Sequence, residues 1–263
     1  MRYLSLLAFA IWLTISPCRA DGPSSLFRDA YLCPDRGSSS VCVYGTIPKG
    51  KRVTVLAKGW KSSALQKGTF SNAGDDFQNG VKTSTRLQVA TPPPKDVSLI
   101  AILAAAETVQ ERPLEEIQDE ALVGRIGQYI KSTNTLNLAP DIQVLKTRLL
   151  RLSPTILLSE TFLAPPDDAP LLEKQLASGC GSCENVPILV GQTLEDLFKG
   201  IRSNKINSVE HTCGGIELAF ALLDRTYVVS HAFTCESDSF SAALVHDLSG
   251  EKPKLVFQLS GGL

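Results

Sequence analysis

The clearest pattern in the chain is an alternation of apolar and polar residues with a period of two. It recurs in four runs, Ile216–Leu223, Thr226–Thr234, Phe240–Asp247 and Lys254–Leu259, separated by turn signals. Placing turns at Asp224-Arg225, Glu236–Ser239 and Ser249–Lys252 lets the runs pair as antiparallel neighbours. One face then collects Ile216, Leu218, Phe220 and Leu222 with Tyr227, Val229, His231 and Phe233. Phe240, Ala242, Leu244 and His246 follow, then Leu255, Phe257 and Leu259. The opposite face mixes Ala, Ser, Val, Thr and a few charges and is expected to be lightly covered or wet. A one-residue slip would scatter the apolar face, so the agreement of all three turns defines the register.

Upstream, Ile142–Leu152 and Thr155–Phe162 predict a hairpin around Ser153-Pro154. Glu116–Ser132 predicts a helix, because Leu122, Ile126, Tyr129 and Ile130 fall at i, i+4, i+7 and i+8 on one face. Two shorter helices are expected over Pro170–Ala177 and Leu194–Arg202. Val97–Leu103 is apolar at nearly every position and favours a strand, although Ala104–Glu107 keeps a helix open. From residue 21 to about 95 the pattern is short strands and turns, including Asp29–Cys33, Val41–Thr46, Arg52–Lys58 and Thr85–Thr91. Gly68–Val81 reads as an exposed loop, and Pro92-Pro93-Pro94 as a stiff break between units. The expected fold is α+β and β-rich, with a C-terminal four-stranded antiparallel meander packed with a few short helices. The expected division is 1–20, 21–94 for a β-rich region and 95–263 for an α+β domain.

The segment 1–20 changes where this chain would fold. A short positive start at Arg2 leads into the apolar run Leu4–Ile15, and small residues stand at Cys18 and Ala20. That arrangement is a secretory signal, too short to span a bilayer, with cleavage expected after Ala20. The mature chain would be periplasmic or secreted, with no membrane span. Losing Arg2 and Arg19 leaves 24 basic against 27 acidic residues, a formal −3, which argues against nucleic acid as a partner. Of seven cysteines, six would remain: Cys33, Cys42, Cys180, Cys183, Cys213 and Cys235. An even number in an oxidising compartment reads as disulfides, and proximity suggests 33–42, 180–183 and 213–235. The last pair needs an extra residue in the first C-terminal strand, expected as a bulge at Gly214-Gly215.

Candidate chemistry is sparse. Cys180-Gly181-Ser182-Cys183 has dithiol spacing, but it precedes the strand-like Val186–Val190, with no helix start over Cys180 to stabilise a thiolate. A structural disulfide is therefore favoured over a redox centre. Cys180, Cys183, His211 and Cys213 have the ligand types of a zinc site, yet His211-x-Cys213 is an unusual second half, and no metal or cofactor is expected. In the register above, His231 and His246 are diagonal neighbours on one apolar face. They are read as partly buried, hydrogen-bonded histidines rather than metal ligands, with Tyr227 the one nearby polar group on that face. No G-x-S-x-G, H-E-x-x-H, phosphate-binding glycine loop or EF-hand occurs. One charge asymmetry stands out. From Arg36 to Gly74 there is no Asp or Glu, while Lys49, Lys51, Arg52, Lys58, Lys61 and Lys67 are positive and Trp60 lies among them. Such a patch suits a partner with an acidic surface. The expected function is a non-enzymatic binding, inhibitor or immunity-type protein of the bacterial envelope. The alternative is an exported thiol–disulfide enzyme using Cys180 and Cys183.

Overall fold

Runs apolar at every position become strands buried on both faces in the computed structural model. It describes residues 26–33, 39–72, 82–94, 99–132, 141–170, 186–191, 207–209, 215–233, 241–250 and 253–258. Six strands close a barrel: β1 (Phe27–Leu32), β2 (Ser40–Tyr44), β3 (Val53–Ala57), β4 (Trp60–Asn72), β5 (Lys82–Val89) and β6 (Leu99–Ile102), in the order β1-β2-β5-β4-β3-β6. Val41, Val43, Val53, Val55, Leu87, Val89 and Ala101 fill its interior. The intervening positions Leu56, Ile100 and Ile102 point outward yet are fully buried, which explains why the 97–103 run showed no alternation. β6 pairs with β1 and β3, so it closes the barrel from beyond the prolines. β6 follows the Pro92–Pro94 run in the sequence and pairs with strands that precede it. Of the loop expected over Gly68–Val81, the part up to Asn72 belongs to β4, and 73–81 lie outside the described residues.

The outward residues are covered by a second, central sheet. It contains β7 (Val109–Arg112), β13 (Ile216–Leu222), β14 (Arg225–Phe233), β15 (Ser241–Asp247) and β16 (Lys254–Gln258), in the order β16-β15-β14-β13-β7. Leu218, Phe220, Leu222, Tyr227, Val229 and Val245 pack on Phe27, Leu56, Ile100 and Ile102 of the barrel wall. Phe27 meets Tyr227 edge-on at 5.3 Å between centroids, and Phe220 stacks on Tyr227 at 5.2 Å. Such pairs add about 0.5–1.5 kcal/mol each beyond the area they bury.

A third, five-stranded sheet covers the other face, for which the sequence predicts light cover or water. Its strands are β8 (Glu115–Glu116), β9 (Gln143–Ser153), β10 (Ile156–Ala164), β11 (Val186–Gly191) and β12 (Asn207–Val209). Leu150, Leu152 and Leu158 pack there on Ile216, Ala219, Val228 and Leu244. The expected hairpin is β9–β10, turning at Pro154-Thr155. Helix α1 (Glu120–Ser132) lies on its far side, where Ile126 and Ile130 meet Leu149 and Leu163. Asp119 caps α1, its Oδ1 accepting from the Leu122 amide at 2.9 Å. Among the described residues the central sheet packs on the barrel wall with one face and on the outer sheet with the other. The helices expected over 170–177 and 194–202 lie outside the described residues, apart from Pro170.

The register differs from the sequence reading at two places. The first hairpin turns at Leu223-Asp224, with Leu222 opposite Arg225. That is a two-residue shift, so Leu218, Phe220 and Leu222 keep their face. β13 has an extra residue at Glu217, which sends Ile216 to the opposite face, opposite Ser230. The second difference is a one-residue shift. Val228 pairs with His246 and His231 with Ala243, so the two histidines stand in rows of opposite parity. The diagonal histidine pair is therefore wrong. Leu244 turns to the outer sheet, and Val245 takes the place expected for it. In β16 a further irregularity leaves Leu255 43% exposed while Val256 is buried.

Candidate binding groove

The basic stretch splits into two groups along the β3–β4 hairpin. At its open end the chain enters β3 through a tight turn, in which the Lys51 amide donates to the Pro48 carbonyl at 3.1 Å. Gly50 sits at φ +80°, as the third residue of a type II turn requires, and Lys49 and Lys51 flank it in the chain. Across the hairpin, β4 carries one residue too many against β5. Gln66 pairs with Leu87 and Gly68 with Arg86, leaving Lys67 as the bulge. A bulge re-aims the side chain it carries. Together these segments border a groove of about 910 Å³, lined by Lys49, Lys51, Arg52, Leu65 and Lys67 among others. That size lies within the range of small-ligand and peptide sites. A 3₁₀ turn at Ala106–Thr108 forms the far wall.

The charges of the groove are unequal. Arg52 pairs with Glu107 of that wall at 2.6 Å, and both side chains remain largely exposed. The ammonium groups of Lys49, Lys51 and Lys67 have no acidic partner among the described residues. Val53, Ala64, Ala105 and Ala106 supply apolar lining, and Leu65 is 69% exposed beside them. The site therefore offers three positive charges, uncompensated among the described residues, around an apolar surface, which suits a ligand both acidic and partly apolar.

The other members of the predicted patch lie at the closed end. Lys58 is exposed in the two-residue turn with Gly59, between Ala57 and Trp60. Trp60 packs partly on the barrel interior. Lys61 is structural, its Nζ donating to the carbonyls of Val109 at 2.8 Å and Ala106 at 3.2 Å. It thereby fixes the wall of the groove. Arg36 lies outside the described residues.

Cys33 and Cys42 form a disulfide with Cα atoms 5.2 Å apart, joining β1 to β2 as expected. Cys180, Cys183, Cys213, Cys235 and His211 lie outside the described residues, so neither the dithiol nor the zinc reading is addressed. Among the described residues no group of three metal-ligating side chains comes together, and no helix is long and apolar enough to cross a membrane.

Sequence reasoning missed a buried ionic centre between the outer and central sheets. Glu160 of β10 is completely buried; one carboxylate oxygen pairs with Arg148, and the other accepts from the Ile216 amide at 2.7 Å. Burial pushes the Glu160 carboxyl up, against the pull of Arg148 and the Ile216 amide. A Cβ on Gly215 would stand 2.9 Å from Glu160 Oε1, so only glycine fits this approach without displacement. A lone acid in the otherwise apolar or hydroxyl-bearing run Ile156–Ala164 was the available signal. The arrangement tethers the start of β13 to β10, and its chemistry is that of a structural ion pair. Comparison with protein-family models, curated proteins and solved structures finds no match to this chain.

Proposed function

We propose that the chain is an exported, disulfide-stabilised, non-enzymatic binding protein, of inhibitor or immunity type, acting in the bacterial envelope. Its basic groove takes the acidic surface of another protein. The observation carrying this reading is the convergence of Lys49, Lys51 and Lys67 on one groove, positioned by a turn and a bulge and without acidic partners among the described residues. Like charges held together on rigid strands repel, and a ligand carrying carboxylates relieves that repulsion. The signal-like segment 1–20 and the Cys33–Cys42 link support an extracytoplasmic site of action.

The test is a titration of the purified chain with poly-L-glutamate at low and at physiological salt. Binding should saturate and weaken as salt screens the groove. Lys49→Glu/Lys51→Glu/Lys67→Glu should reduce affinity at least tenfold, while Lys58→Glu at the closed end should leave it unchanged. Equal losses in both variants, or no saturable binding, would overturn the assignment.

A further inference from the structure

β4 is longer than its neighbour on one side. β3 pairs with it only from Trp60 to Ala64, while β5 accompanies it to Asn72. Among the described residues no strand flanks Leu65–Asn72 on the β3 side, and no backbone hydrogen bond reaches this stretch from outside its ladder. The groove opens onto the first part of this edge, at Leu65–Gly68, and Leu65 through Thr69 are all exposed. An open edge beside a side-chain groove is the arrangement that takes an extended peptide: main-chain hydrogen bonds hold it and alternate side chains give selectivity.

We propose that an extended acidic peptide segment adds as a strand to the edge of β4 at Leu65–Asn72, its carboxylates reaching Lys49, Lys51 and Lys67. The inference rests on reading the groove as the binding site and adds how the ligand lies in it. Alternation along the incoming strand places carboxylates on one side and apolar side chains on the other, against Leu65 and the alanines of the groove. A second copy of this chain is disfavoured as the occupant, because pairing two such edges would bring together two sets of like-charged lysines.

The test uses the purified chain and a capped eight-residue peptide alternating Glu and Val. Saturable binding is expected, weakened at least tenfold by Lys67→Glu. N-methylation of alternate peptide amides should separate two series. Methyl groups on amides facing β4 should reduce affinity at least tenfold, and those on the intervening amides should change it less than twofold. Amides of β4 between Leu65 and Asn72 should gain hydrogen-exchange protection on binding. Equal affinity of both methylated series, with binding still sensitive to Lys67→Glu, would overturn strand addition and leave the groove reading standing. A peptide that does not bind in any form would overturn both. Circular dichroism of Lys67→Glu confirms that any loss is not unfolding.

Discussion

At the scale of single residues, the sharpest consequence concerns His246. It is 5% exposed between the central and outer sheets, and its Nδ1 has no hydrogen-bond partner among the described residues. Burial lowers its pKa to about 4, against an ordinary value of 6.5. Above pH 6.5 the imidazole is neutral whether the chain is folded or not. As pH falls from 6.5 towards 4, the unfolded chain takes up a proton that the folded one refuses, so stability falls, by about 3 kcal/mol in full. Glu160, held between the same sheets, has the opposite sign. Its folded pKa is raised, so the stability it contributes is present at low pH and lost as pH climbs past 4.5 through the folded value. The two slopes overlap, and a variant separates them. Urea midpoints of the parent and His246→Gln, measured from pH 7 to pH 4, should diverge, with the parent falling more steeply. Parallel curves would mean that this imidazole is hydrated or charged in the folded chain.

At the scale of elements, the β13–β14 turn uses the wrong residues for its shape. Leu223 and Asp224 adopt φ +52° and +60°, the pattern of a type I′ turn, in which Asn-Gly is strongly preferred. Leu223 is also 70% exposed, so burial does not offset the left-handed backbone, which costs about 1–2 kcal/mol for an ordinary residue. Replacing Leu223-Asp224 with Asn-Gly should raise stability by about 1–2 kcal/mol, read as a higher urea midpoint at unchanged slope. A lower midpoint would exclude the I′ geometry. This turn also shows what was legible. The sequence places a turn at Asp224-Arg225, because nothing marks Leu223 as a turn residue, and the resulting two-residue error preserves the face of Leu218, Phe220 and Leu222. The next connection has no such protection. Its length cannot be read from polar residues alone, and a one-residue error there carried His246 and Leu244 to the wrong side. β13 carries a bulge at Glu217, while the one expected at Gly214-Gly215 for the Cys213–Cys235 pair concerns residues outside those described, apart from Gly215. For the groove, composition gathered its lysines, but only the Gly50 turn and the Lys67 bulge separate Lys49, Lys51 and Lys67 from Lys58 and Lys61. Glu160 escaped notice because its partners, Arg148 and the Ile216 amide, come from other strands.

At the scale of the whole molecule, the question is whether the barrel and the sheets stand or fall together. The proline run at 92–94 marks a boundary by composition, yet a chain ending there lacks β6. β6 supplies the pairing for β1 on one side and β3 on the other, so without it two barrel edges stay open. It also supplies Leu99 and Ala101 to the barrel interior, and Ile100 and Ile102 to the surface under the central sheet. That surface is apolar: Phe27 sits 6.1 Å from the Phe220 ring and 6.2 Å from Phe257, and Phe27 and Phe220 are both fully buried. Exposing it would cost about 1.5–3 kcal/mol for each large side chain, against a net domain stability of about 5–15 kcal/mol. Two outcomes follow. A chain ending at Pro94 should lack fixed tertiary structure, seen as an absent near-ultraviolet circular dichroism signal and unprotected amides. In the complete chain, Phe220→Ala should cost about 3–5 kcal/mol. The loss should appear equally in amides of β2 and β5, which Phe220 does not touch, and in those of β14. If barrel amides kept their protection while β14 lost it, the barrel would be an independent unit and the prolines would mark a true boundary after all.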